Sequence, residues 1–129
     1  PLHVNRVMSL WKELGSKISV LDAELHDQIF AYSSHLPHVV AYALLNTLKG
    51  LDQDDLALFS GGGLGEFLRL VSSSSEMWTD IFSMNEKNIA FAIDDLVKSL
   101  NILQDKIKND PKSLQGFLSE LKAFKESNY

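Results

Sequence analysis

From Leu36 to Leu45 the chain is apolar at nearly every position, with Pro37 second in the run and His38 third. A helix that is apolar all round is a buried one. This segment must therefore lie at the centre of the domain or at an interface with a second copy. It is far too short to span a bilayer, which takes ~20 residues. Pro37 cannot donate to the carbonyl of Ser33, and its ring pushes that carbonyl aside, so a kink or break is expected there. Backbone acceptors are then freed beside His35 and His38.

The helix carrying this run should begin at Asp22, a good N-cap, with Glu24 in the first turn where its charge suits the helix dipole. Leu25, Ile29, Tyr32, Leu36, Val39 and Ala43 step by four and three along one face, and Lys49-Gly50 closes the helix. Upstream, Gly15 ends a first helix from about Val4 to Leu14, and Lys17 to Leu21 alternates as a short extended stretch would. Downstream, Asp52 to Phe59 reads as a short helix, Ser60 to Gly63 as a flexible turn and Leu64 to Val71 as another helix. Ser72 to Ser75 offers several caps for the next, and Ser73 with Glu76 has capping-box spacing.

Ile89, Ile93, Leu96, Leu100, Leu103 and Ile107 then follow the heptad spacing of a helix packed along its length on another. Asp110-Pro111 ends that helix and opens the last, with Pro at a favourable first position. The last apolar stripe is Leu114, Phe117, Leu118, Leu121 and Phe124. With no sheet pattern, no internal repeat and no linker, residues 1–129 read as one compact all-α domain of about six helices around a Pro-kinked buried central helix. A domain of this length typically buries roughly two-thirds of its unfolded surface, so a proper core is expected.

A net charge of −5 argues against nucleic-acid or anionic-membrane binding through a broad basic surface. The absence of cysteine excludes disulfides, thiolate catalysis and Cys-ligated zinc. The expected setting is cytoplasmic.

Little in the chain has the spacing of a reactive site. Gly61-Gly62-Gly63-Leu64-Gly65 has Leu68 where a dinucleotide fingerprint needs its third glycine, and what precedes is helical. A turn is the better reading, though one that a ligand or neighbouring backbone can approach closely. His35 and His38 are three apart around Pro37, but no His-Glu-x-x-His motif accompanies them. His35 reads as readily as a core histidine bonded to a freed carbonyl; His38 reads so less readily, because it is the lone polar side chain in the Leu36–Leu45 run and a polar group there needs a partner. Of twelve basic residues only Arg6 and Arg69 are arginine. Arg69 lies among Phe67, Leu68, Leu70 and Val71, where a guanidinium suits a carboxylate held by two parallel bonds. That carboxylate belongs either to a ligand or to a structural ion pair within the chain. Met77 and Trp78, at a helix start, suit a core as well as a site.

The strings Asp22-Ala23-Glu24-Leu25-His26-Asp27 and Ser34-His35-Leu36-Pro37-His38, then Gly62-Gly63, Arg69, Glu76-Met77-Trp78, Asp80-Ile81-Phe82 and Asn85-Glu86, occur in the order of the C-terminal helical domain of the prephenate dehydrogenase family. From about Leu10 to Leu103 the chain resembles that domain; the last helix carries no motif. The resemblance implies a Rossmann-type nucleotide-binding domain that precedes the helical one and lies outside these 129 residues. It implies oxidative decarboxylation of prephenate, or of arogenate in relatives, with NAD or NADP taking the hydride. The catalytic histidine belongs to that other half, so the resemblance implies no catalytic residue, bound cofactor or metal here. It further implies a homodimer, with Arg69 gripping a substrate carboxylate, His38 nearby, His35 shaping the kink, and Ser34, Gly62, Met77 and Trp78 near the site.

Two departures stand out: Leu64, Gly65, Glu66 and Leu68 replace the family's usual aromatic, basic residue, Asp and Thr, and Ser74-Ser75 replaces an Asp-Pro pair. A stand-alone helical dimerisation or ligand-binding module without catalysis remains the alternative.

Overall fold

The computed structural model describes residues 2–51, 54, 56, 58 and 60–129. Among them are seven α-helices and no strand: α1 (Leu2–Glu13), α2 (Ala23–Phe30), α3 (Leu36–Leu48), α4 (Gly62–Leu68), α5 (Ser75–Met84), α6 (Glu86–Asn109) and α7 (Pro111–Asn128). Because α2 and α3 join without a break through a π-helical turn, Ala31–His35, they make six rods, in line with the all-α expectation. The short helix expected over Asp52 to Phe59 rests largely on residues outside the described ones.

The sequence punctuation acts through local hydrogen bonds. Gly15 has φ of 82°, a conformation only glycine adopts freely. It lets the Gly15 and Ser16 N–H groups return to the carbonyls of Lys12 and Trp11, at 3.0 Å each, so the end of α1 is satisfied by a Schellman pair. Asp22 accepts from the Leu25 N–H at 2.9 Å, and Asp110 from the Ser113 N–H at 3.2 Å ahead of Pro111. The Ser113 hydrogen bonds hold the Asp110 carboxyl below its usual range.

Three local expectations are corrected. Residues 16–22 form no strand, with no second strand among the described residues to pair with them. The cap of α5 is Ser74, which accepts from the Met77 N–H, rather than Ser73 with Glu76. The flexible turn narrows to Ser60-Gly61, because Gly62, Gly63 and Gly65 already lie inside α4, followed by a 3₁₀ turn over Arg69–Ser72.

Pro37 produces neither a gap nor a sharp break. It sits in the first turn of α3, where its missing N–H is least costly. The strain is taken up one turn earlier, where the Leu36 N–H reaches the Ala31 carbonyl five residues back. Such π-turns often mark functional positions.

Helix α3 lies at the centre, touching the π-turn, α4, the 3₁₀ turn and α6. Ala31, Ala41 and Ala92 are fully buried and have side chains small enough for helices to approach closely. Trp78 and Ile89 complete the buried apolar set. Away from the centre, Tyr32 donates to Asp95 at 2.8 Å and ties the π-turn to α6. Lys98 shares that carboxylate at 2.9 Å.

The expected two-thirds burial is not reached. The chain exposes 10502 Å² at a mass of 14.4 kDa, against about 6,800 Å² for a compact monomer of that mass, so only about half of the unfolded surface is buried. Leu36, Val39, Val40, Leu44 and Leu45 are half-buried rather than enclosed. Val4, Val7, Leu10 and Trp11 of α1 and Leu14 just after it are more than half exposed, as are Leu100 and Ile107 of the heptad stripe. The described helices thus leave much of their apolar surface uncovered.

Candidate functional site

The π-turn and the first turn of α3 bring His35 and His38 up against α5. The His38 ring stacks on Trp78 with centroids 3.6 Å apart and planes 25° from parallel. His35 meets the same indole edge-on at 6.1 Å, and Phe82, one turn further along α5, lies 5.4 Å from it. Trp78 is 6% exposed. Its indole N–H is buried with no protein acceptor among the described residues, and so is the hydroxyl of Tyr42. Both side chains line a recess of about 190 Å³ with Ser75, Thr79 and Phe82. A buried N–H and O–H without partners carry a desolvation penalty, so they mark where an incoming acceptor gains most.

His38 Nδ1 lies 3.1 Å from the Ser34 carbonyl. A carbonyl only accepts, so Nδ1 carries the proton. The core-histidine reading therefore holds for half of the ring, and Nε2 is the nitrogen left for other chemistry.

His35 is bound differently. Its Nδ1 is 3.2 Å from Asn85 Nδ2, and its conjugate acid is held below the ordinary value of 6.5, first by burial and then by His26 and His38, with Asp27 opposing. The unfolded chain thus takes up this proton more readily than the folded one. Stability from this group is complete above pH 6.5 and is lost as pH falls from there toward the folded-state value. Denaturant midpoints should accordingly fall between pH 7 and pH 5, and less steeply in His35→Asn; equal slopes would remove His35 as the cause.

Arg69 is flanked by apolar residues in sequence, yet its side chain is 71% exposed, 3.6 Å through Nε from Glu66 one turn back. In a short 3₁₀ turn the neighbouring apolar residues point to other sides, leaving Arg69 on the outer one. An exposed pair of that kind contributes little to stability. The in-chain ion pair exists, but not as a buried one. Gly62 is exposed at the start of α4, and a Cβ built there meets nothing within 4 Å, so this chain's own packing does not require glycine. Met77 is exposed beside Trp78.

The structure thus gathers Ser34, His35, His38 and Trp78 into one contact cluster. Gly62 and Arg69 lie on the α4–3₁₀ segment packed against α3. Asn85, Tyr42 and Phe82 belong to the cluster and were not singled out by spacing. The family strings did carry them, Phe82 in Asp80-Ile81-Phe82, Asn85 in Asn85-Glu86 and Tyr42 in Ala41-Tyr42-Ala43-Leu44, without giving them a role. No group of three or more His, Cys, Asp or Glu able to hold a metal occurs among the described residues, and no helix among them is long and apolar enough to cross a membrane.

The family model for the prephenate dehydrogenase dimerization domain matches residues 22–123. The cyclohexadienyl dehydrogenase of Zymomonas mobilis is 30% identical over 104 residues, covering 78% of this chain and 36% of that protein. The prephenate dehydrogenase of Lactococcus lactis is 29% identical over 126 residues, covering 92% and 34%. The chain thus spans about a third of the length of these relatives. Among solved structures, the prephenate dehydrogenase of A. aeolicus in complex with hydroxyphenyl propionate and NAD+ superposes with a TM-score of 0.86 at 35% identity, over 96% of this chain and 44% of that one. The Synechocystis arogenate dehydrogenase superposes at 0.84 and 23% identity, over 100% and 48%, which speaks for the fold.

Proposed function

The chain belongs to the prephenate dehydrogenase family, and from that premise we propose that it is the dimerisation and substrate-binding domain of an NAD- or NADP-dependent dehydrogenase acting on prephenate or arogenate. The complete enzyme catalyses the oxidative decarboxylation of prephenate to 4-hydroxyphenylpyruvate, a step toward tyrosine. One observation carries the substrate half of this reading. Ser34, His35, His38 and Trp78, distant in sequence, meet where the π-turn absorbs Pro37, and there a buried indole N–H lacks an acceptor. Arg69 supplies an accessible fork for a substrate carboxylate, and Gly62 and Met77 supply accessible surface. His38 and Trp78 form the wall against which the ring of the substrate rests.

The residues present do not fit a dinucleotide. The glycines that would have to cradle a pyrophosphate lie inside α4, preceded by no strand among the described residues, whereas the fingerprint needs a strand–turn–helix. The nicotinamide cofactor therefore belongs to a nucleotide-binding domain elsewhere in the enzyme. The 129-residue chain should accordingly show no prephenate-dependent reduction of NAD or NADP, and measurable turnover by the pure chain would overturn this division of labour.

The uncovered surface supports a homodimer. About 3,700 Å² is exposed beyond the norm for this mass, and permanent dimers typically bury 2,000–5,000 Å² in total. A second copy takes up part of the excess and the nucleotide-binding domain part of the rest. Sedimentation of the chain at tens of micromolar should give a dimer, since obligate interfaces of this size dissociate at about nanomolar or below; a monomer at that concentration counts against it.

A further inference from the structure

Asn85 is a buried polar side chain in the turn between α5 and α6, 6% exposed. It stands at the N-cap of α6, where asparagine ordinarily accepts from the backbone of the first turn, yet it makes no such bond. Its amide is spent on other partners. Nδ2 is 2.7 Å from the Asp27 carbonyl and 3.2 Å from His35 Nδ1, and Oδ1 accepts from Asn88 Nδ2 at 2.8 Å.

These contacts determine the protons by elimination. The Asp27 carbonyl can only accept, so the NH₂ end of Asn85 must face it, and Asn88 donates to the other end in agreement. The second proton of that NH₂ then points at His35 Nδ1, which must be a lone pair. A neutral His35 therefore carries its proton on Nε2. His38, bonded through Nδ1 to the Ser34 carbonyl, is the opposite tautomer.

We propose that Asn85 is a positioning residue for the candidate site: it holds His35 neutral, in the Nε2–H form, against the edge of Trp78. His35 and His38 thus offer two different ring edges to one ligand, a donor at His35 Nε2 and an acceptor at the Nε2 of neutral His38. The titratable groups around the His35 ring are Asp27 and His26 on α2 and His38 on α3; α5, the turn after it and α6 contribute Trp78, Asn85 and Asn88, all uncharged. The negative Asp27 alone favours protonation, and Asn85 opposes it by occupying Nδ1 with a donor.

The link between Asn85 and His35 stands on these contacts alone; its bearing on substrate rests on the substrate-domain reading above. The first experiment is therefore ring-nitrogen NMR of the wild-type 129-residue chain, with His35 assigned by its loss in His35→Asn. The expected result is an Nε2–H tautomer and a titration below the ordinary histidine value. An Nδ1–H tautomer, or an unshifted titration, overturns the proposal.

Asn85→Asp keeps the shape but turns the donor into a charged acceptor, so the His35 titration should move up by about one to three in pH; no movement likewise overturns it. In the complete dehydrogenase, Asn85→Asp should add an inflection to the pH profile of kcat/KM for prephenate at that new value, while Asn85→Gln should not. A shifted titration with an unchanged profile removes His35 from the substrate side. The substrate-domain reading itself fails on a different result, an Arg69 variant with unaltered KM.

Discussion

Replacing Arg69 with alanine in the complete dehydrogenase should raise the KM for prephenate roughly ten- to a hundredfold, about 1.5–3 kcal/mol, the range for hydrogen bonds to charged groups. The exposure of the side chain sharpens this expectation. A buried ion pair would have coupled the loss of Arg69 to the stability of the fold. The observed pair with Glu66, 3.6 Å apart and largely exposed, leaves nothing stranded when Arg69 is removed. The melting temperature should therefore stay close to wild type, as for most surface substitutions. Arg69→Lys keeps the charge but loses the planar fork, so it should already weaken substrate. The KM for the nicotinamide cofactor should stay nearly constant, because that site belongs to other residues. Steady-state kinetics and a thermal melt on one variant separate the two roles: an unchanged KM beside a lowered melting point makes Arg69 structural.

That Arg69 is exposed could not have been read from Phe67, Leu68, Leu70 and Val71 around it. Apolar neighbours in sequence report burial only when the element and what packs on it are known. The same holds for the half-buried Leu36–Leu45 run and the bare heptad positions Leu100 and Ile107. Their periodicity marks a face suited to packing, and it is silent on what covers it.

Local signals fared better because their physics is local. Asp22, Gly15, and Asp110 with Pro111 act within one turn and sit where their chemistry requires. Pro37 was legible as a disturbance, but the π-turn that answers it spreads the strain over Ala31–His35, upstream of the proline itself. Asn85 was not legible as a hub. Its partners Asp27 and His35 lie 58 and 50 residues away, and no spacing rule reaches across such a separation. The family strings, by contrast, named Ser34, His35, His38 and Trp78 before the fold brought them together.

Trp78 should prove the most costly residue of the chain to truncate. Trp→Ala at a buried position typically removes about 3–5 kcal/mol, a large share of what a domain of this length has. The share is larger here because the buried apolar set among the described residues is otherwise Ile89 and three alanines. Losing the indole also removes the stack on His38 and the contacts to His35 and Phe82, so the π-turn and α5 lose their common surface.

Trp78→Phe should behave quite differently. It retains an aromatic ring in the same place and deletes the buried N–H that has no protein acceptor, so part of the lost packing is offset by a removed desolvation penalty. Its stability cost should be about 1 kcal/mol or less, as for conservative apolar replacements. If that N–H is kept for an acceptor arriving with the substrate, Trp78→Phe should raise the KM for prephenate while unfolding at nearly the wild-type denaturant concentration. A tolerated loss of this kind is the signature of a group retained for function at some expense in stability. Urea titrations of the chain and prephenate kinetics of the complete enzyme test both halves. Trp78→Phe as destabilising as Trp78→Ala would mean that the whole indole is structural, and an unaltered KM would leave its N–H without a role in binding.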